Sequence, residues 1–209
     1  METTLTKPDW LCPLTVGSHA CFFYTTQDEF FSISAPYLQE ALTSLRERTL
    51  WILPPHYSFL KAKNDLQALL PVDLDTLLEM KRLILMPWEQ WYGTEMSIRK
   101  LLMRHFKVLK ETLKDGFDTL RILSHGPSKD SHYWNDFLIY QESLSKATKP
   151  KPFIFLCGYS LADCPSAAIS SIAANHNMCL IQHASEWEWL DGTPSNMLRS
   201  KGFHYKHPR

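Results

Sequence analysis

Six short apolar runs recur along the chain, each followed by a helix-forming segment or a breaker: HACFFY, TLWILP, the second half of LLEMKRLILMP, TLRILSHG, KPFIFLCGY and MCLIQH. Runs such as FIFLC and LRILS are apolar at successive rather than alternate positions, so both faces of each strand must be covered. Strand and helix alternate throughout. The fold class this predicts is α/β, with a mostly parallel central sheet flanked by helices on both faces.

The helical segments carry their own punctuation. Thr25 or Thr26 is placed to cap a helix from about Asp28 to Arg48, which Pro36 should kink or divide. Ser58 is placed to cap SFLKAKNDLQALL, and Thr94 a long amphipathic helix that Gly116 ends. SHYWNDFLIYQESLSKA reads as another helix, and PSAAISSIAANH as one with Pro165 near its first turn.

A length of 209 residues and a 44% hydrophobic content suit one domain, expected over residues 16–190 after a leader at 1–15. The basic segment 191–209 has no apolar period and is expected to be a flexible tail, with Phe203, His204 and Tyr205 available to dock a partner. Twenty-two basic residues balance 22 acidic ones, so no global field draws nucleic acid or anionic membranes. No apolar run approaches the roughly 20 residues that cross a bilayer, and METTLTKPDWLCPL lacks a signal-peptide core, so a cytoplasmic protein is expected. Cys12, Cys21, Cys157, Cys164 and Cys179 form an odd set without CxxC spacing and read as free thiols, mostly buried.

In a parallel sheet, ligands bind beyond the carboxyl ends of the strands. The exits CFFYTTQD, MPWEQWYG, SHGPS and CGYSLADC carry more aromatic and polar residues than turns require. The candidate ligand-binding residues are therefore His19, Cys21 and Tyr24 facing Trp88, Trp91, Tyr92, Ser124, His125, Cys157 and Tyr159, an aromatic and thiol pocket. Where a phosphate-binding loop would need glycines and a lysine, the chain has YTTQDEFF, which excludes P-loop chemistry.

Three alternatives stay open. His19 and Cys21 lie two apart on one strand face, so with Cys157 they could ligate zinc or haem iron, the fourth ligand coming from Cys164, His125 or His176. Cys21 or Cys157 could be a nucleophile beside a histidine. The module could also be an inactive scaffold or homo-oligomer subunit. No GxSxG, HExxH or paired-carboxylate signature appears, Glu89 and Glu95 read as helix-start charges, and no catalytic residue is assigned. The stripe IRKLLMRHFKVLKETL reads as a core-facing helix with a basic solvent face.

GSHACFFYTTQDEFFSISAPYLQEAL, LWI, PWEQWY, GFDTLRILSHG and FIFLCGYSLADCPSAAISSIAANHNMCLI, taken in order from about Val16 to Trp189, resemble the MEDS domain, a prokaryotic sensory domain of methanogens, methylotrophs and a dichloromethane-degradation regulator. The resemblance implies a RecA-like fold, related to circadian-clock ATPases, that lacks Walker A and senses small molecules such as simple hydrocarbon or one-carbon derivatives. It implies no enzyme activity and leaves any cofactor unspecified. Relatives are commonly joined to kinase, phosphatase or DNA-binding modules; with no room for one here, the expected output partner is a separate kinase or transcription regulator.

Overall fold

A computed structural model describes residues 8–93, 96–128, 130–183 and 186–191. Seven strands form one sheet in the order β3-β2-β4-β5-β1-β6-β7. They span β1 His19–Tyr24, β2 Glu47–Ile52, β3 Leu83–Met86, β4 Thr119–His125, β5 Phe153–Ser160, β6 Met178–His183 and β7 Glu186–Asp191. All pairings are parallel except β6 with β7. The antiparallel β7, carrying Trp187 and Trp189, is a strand the sequence pattern did not mark.

Among the described residues, seven α-helices cover the sheet: α1 Gln27–Thr43, α2 Phe59–Leu69, α3 Leu74–Glu79, α4 Trp88–Tyr92, α5 Ile98–Lys114, α6 Trp134–Thr148 and α7 Ser166–Ala174. The first three pack Phe30, Ile33, Leu38, Leu66 and Leu74 against Ala20, Phe22, Trp51 and Leu156 on one face. On the other, α4 to α7 pack Trp91, Leu101, Phe137, Tyr140 and Ile172 against Cys21, Ile122, Phe155 and Cys157. Two apolar layers therefore sandwich the sheet, as the continuous strand runs demand.

Thr26 caps α1, its side chain accepting from the Glu29 N–H, and Ser58 caps α2 in the same way from Lys61. Pro36 does not divide α1, which runs unbroken through it. Its missing N–H orphans the carbonyl of Ser32, an exposed position where water can replace the bond. The helix ends at Thr43 instead of Arg48, because Arg48 already belongs to β2, four per cent exposed and paired with Asp115 at 2.7 Å. Thr94 and Glu95 lie outside the described residues, as does the tail 192–209; Ser97 holds the N-cap position of α5, without a side-chain capping bond.

Gly17 sets the entry to β1. It sits at φ +89°, its N–H donates to the Phe153 carbonyl at 2.8 Å, and an added Cβ would lie 2.9 Å from the backbone oxygen of Lys149. Left-handed strain and an unyielding backbone neighbour both oppose a side chain. Gly17→Ala is expected to cost about 2–4 kcal/mol, read from urea unfolding at neutral pH. A loss below about 0.5 kcal/mol would show that this entry turn relaxes freely.

Candidate functional site

Alternation along β1 separates the candidate residues. His19 and Cys21 face the α5–α7 layer, where His19 meets Gln141 of α6 and Cys21 joins the core. Tyr24 faces the α1 layer, its ring 5.2 Å from Phe30. On β4 the same rule puts Ser124 beside Cys157 on the first face and sends His125 to the second, against Tyr24 and Phe30. The single pocket expected from ten residues is thus two separate environments.

The first is a buried polar seam under α6 and α7. Ser124, Cys157, Cys21 and Cys179 stand in one register row across β4, β5, β1 and β6. His19 lies at the entry of β1, not its exit, and reaches Cys157 Sγ with Nε2 at 3.8 Å and Gln141 Oε1 at 3.1 Å. The His176 ring, in the turn between α7 and β6, stacks on His19 at 4.2 Å. Burial pushes the Cys157 thiol up to about 12 and the His176 imidazole down to about 4, so both are neutral. Cys157 is therefore no thiolate nucleophile in this environment, and the Cys21 thiol is likewise held well above its ordinary value by burial.

The aromatic group beside the seam is core. Trp88, Trp91 and Tyr92 form α4, all nearly buried, with Trp88 and Tyr92 rings 4.7 Å apart and Tyr92 against Phe137 and Tyr140. Tyr159 closes the seam over His176 at 3.5 Å and over Phe137. These rings fill the space that a ligand pocket there would need. Of the further metal ligands considered, His125 is on the opposite face and Cys164 turns its Sγ to the Pro165 carbonyl at 3.6 Å; His176 alone joins His19 and Cys157.

The second environment is open. A cleft of about 180 Å³ lies at the carboxyl end of β1, lined by Tyr24, Thr25, Thr26, Gln27, Phe30, Phe31, Pro54 and Tyr57. Here the chain leaves β1 through α1 toward β2, while the crossover from β5 through α7 to β6 runs on the opposite face, a topological switch point. Phe30, Phe31 and Tyr57 back onto Trp51 at 6.1–6.4 Å between ring centroids. At its rim Gln27 donates to Asp65 at 3.3 Å, and Asp65 also binds Lys61 at 2.8 Å and the Tyr57 hydroxyl. The floor is fixed by Tyr24, whose hydroxyl donates to His125 Nε2, while His125 Nδ1–H donates to the Gly126 carbonyl at 2.8 Å.

The helix start at this cleft is already occupied by acid. Glu29 accepts from the N–H and hydroxyl of Thr25, both at 2.6 Å, and Thr26 takes the Glu29 N–H. Those donors would otherwise greet a phosphate. With Asp28 and Glu29 in the first turn, the site disfavours anions.

Sequence reasoning missed Gln141, His105 and the cleft walls Phe31 and Tyr57. Gln141 and His105 were findable: each interrupts an otherwise apolar stripe, Trp134-Phe137-Tyr140-Gln141-Leu144 and Leu101-His105-Leu109.

The model of the MEDS family, the methanogen/methylotroph, DcmR sensory domain, matches residues 18–177. The chain belongs to this sensory-domain family. No curated protein matches it. Among solved structures, flagellar accessory protein FlaH from Methanocaldococcus jannaschii is similar over 88% of this chain and 83% of its own, at TM-score 0.52 and 12% identity. That likeness shows the fold, which is RecA-like. The MEDS match covers both environments at their β1 ends, Cys21 and Tyr24 alike. No helix among the described residues is long and apolar enough to cross a membrane.

Proposed function

We propose that this MEDS domain senses a small neutral organic molecule in the carboxyl-edge cleft, in a cytoplasmic signalling system whose output is carried by a kinase or a transcription regulator. The cleft is the observation that carries the reading. It is open where the first candidate pocket is packed, it sits at the switch point where such sheets bind ligands, and its walls are Phe30, Phe31 and Tyr57. Its 180 Å³ is below the roughly 300–1,000 Å³ of drug-sized sites, which suits simple hydrocarbon or one-carbon derivatives. The acidic helix start argues against nucleotides.

Ligand bound there would touch the first turn of α1 and the segment leading into α2 together, and a difference in affinity between two positions of those helices is what a partner would read. Thermal-shift titration with short alcohols and halomethanes, beside ATP and inorganic phosphate, tests this. A neutral compound should raise the melting temperature saturably while ATP and phosphate do not. Phe31→Ala and Tyr57→Ala, both at half-buried wall positions, should weaken its binding about tenfold each with the fold intact. Stabilisation by ATP, or a neutral-compound response untouched in the double variant, would overturn the assignment.

A further inference from the structure

The buried seam has the makings of a metal centre. His19, Cys157 and His176 offer three ligating atoms within 4.8 Å of one another, all in fully buried positions and drawn from β1, β5 and the α7–β6 turn. Imidazole and thiolate together suit zinc, whose bonds of about 2.0–2.1 Å to nitrogen and 2.3 Å to sulfur place tetrahedral ligand atoms roughly 3.3–3.7 Å apart. His19 Nε2 and Cys157 Sγ, at 3.8 Å, stand just beyond that spacing. Closing the remainder takes side-chain shifts of about an ångström.

The surrounding hydrogen bonds prepare the ligands. His176 donates Nδ1–H to the Ile172 carbonyl at 2.6 Å, which fixes the tautomer and leaves the Nε2 lone pair free to ligate, the arrangement that second-shell partners impose in metal sites. Tyr159 OH, 3.5 Å from that Nε2, is a loose partner that an ion would replace. Gln141 Oε1 accepts from His19 Nε2–H at 3.1 Å, so ligation through that nitrogen requires the ring proton to move to Nδ1 and this bond to open. By contrast, the buried Gln141 Nε2 has no hydrogen-bond partner, and His19 Nδ1 has no well-formed one, the Asn175 backbone being the group that interacts with the ring on that side. A seam built only for packing would leave these atoms at a cost of about 1–3 kcal/mol each, and a change of ring or amide orientation on metal binding re-pairs them.

We infer that His19, Cys157 and His176 form a binding site for one thiophilic divalent ion of the zinc type, with Gln141 Oε1 or a water completing the tetrahedron. Coordination forms the metal–sulfur bond as the Cys157 S–H proton leaves to solvent, so about one proton is released per ion. The site lies at the amino-terminal edge of β1, behind the half-exposed turn Asn175–Asn177, and the stacked imidazoles leave room for an ion and not a haem. It is independent of the cleft at the opposite end of the strand and stands whether or not that cleft takes a ligand.

The test is titration of the untagged, chelator-treated full chain with Co²⁺, followed by displacement with Zn²⁺. One equivalent of Co²⁺ should give the intense visible bands of a tetrahedral site with thiolate-to-cobalt charge transfer, and Zn²⁺ should bleach them. Cys157→Ala should abolish the charge transfer; His176→Gln and His19→Gln should weaken binding by roughly a hundredfold. Cys21→Ala, which removes a neighbouring buried thiol of the same size, should leave the spectrum unchanged. If Cys157→Ala fails to fold, the two histidine variants decide. No bound ion, an octahedral spectrum without charge transfer, or binding undiminished in the histidine variants would overturn the site.

Discussion

Taking the protein from pH 6.5 to pH 4 is expected to remove most of its folding free energy, the loss beginning well above the range in which ordinary carboxylates are protonated. His105 and His125 are 1% and 3% exposed, and burial pushes each imidazole down to about 4 from an ordinary value near 6.5. The Asp163 charge near His125 favours its protonated form but does not outweigh burial. His105 bonds the Leu101 carbonyl at 2.9 Å and faces Tyr140 OH at 3.4 Å, while His125 bonds the Gly126 carbonyl and accepts from Tyr24. In both rings Nδ1–H donates, so a new proton must enter at Nε2, against a tyrosine hydroxyl and without solvent.

The unfolded chain takes those two protons first, so stability falls with falling pH between about 6.5 and 4 and is flat in these groups above 6.5. Each histidine contributes about 1.4 kcal/mol per pH unit in that window, or roughly 3 kcal/mol by pH 4, and the two together about 6 kcal/mol. That compares with a total of about 5–15 kcal/mol for an ordinary domain. Urea unfolding at pH 7, 6 and 5 measures the slope, to which the buried His19 and His176 add in the same direction, and His105→Leu should lower it by one histidine's share, about 1.4 kcal/mol per pH unit. A stability unchanged from pH 7 to 5 would mean that these imidazoles reach water in the native state.

Much of the fold was legible because one signal dominates it. Apolar residues at successive positions in FIFLC and LRILS can only be strands covered twice, and Thr26, Ser58 and Pro165 punctuate the helices where the structure begins them. Helix α1 was read too far, to Arg48, because Leu45 continues its period even though it is exposed on the turn into β2. Strand β7 was missed since EWEWLD alternates two tryptophans with acids, a half-buried edge pattern unlike the continuous runs elsewhere. The site was legible only in part. Residue types placed His19 with Cys157, but the pleat sends Tyr24 and His125 to the opposite face, and no spacing rule reveals which of two faces a helix packs closed. The cleft walls Phe31 and Tyr57 come from segments with no unusual composition; only the topology brings them together.

Arg121→Ala is expected to cost about 3 kcal/mol, at the low end for breaking a buried ionic cluster. Arg121 points from β4 into the α1 layer, 2% exposed, where it binds Glu47 at 2.6 and 3.2 Å and Glu40 at 3.0 Å and stacks over the Tyr37 ring at 4.8 Å. Removing it leaves two carboxylates of like charge and a tyrosine face without its cation. The loss stays near the low end because Glu47 and Glu40 keep side-chain exposures of 18% and 26%, so both can rehydrate in part. Replacing all three together, Arg121→Met with Glu40→Leu and Glu47→Leu, should recover most of that loss, since apolar packing often equals a buried ion network in stability. Urea unfolding of both variants decides between two roles. Recovery would show that the network fixes which way α1 docks on β2 and β4 rather than how strongly. A triple variant as unstable as Arg121→Ala would mean instead that the arginine's stacking on Tyr37 is the stabilising contact.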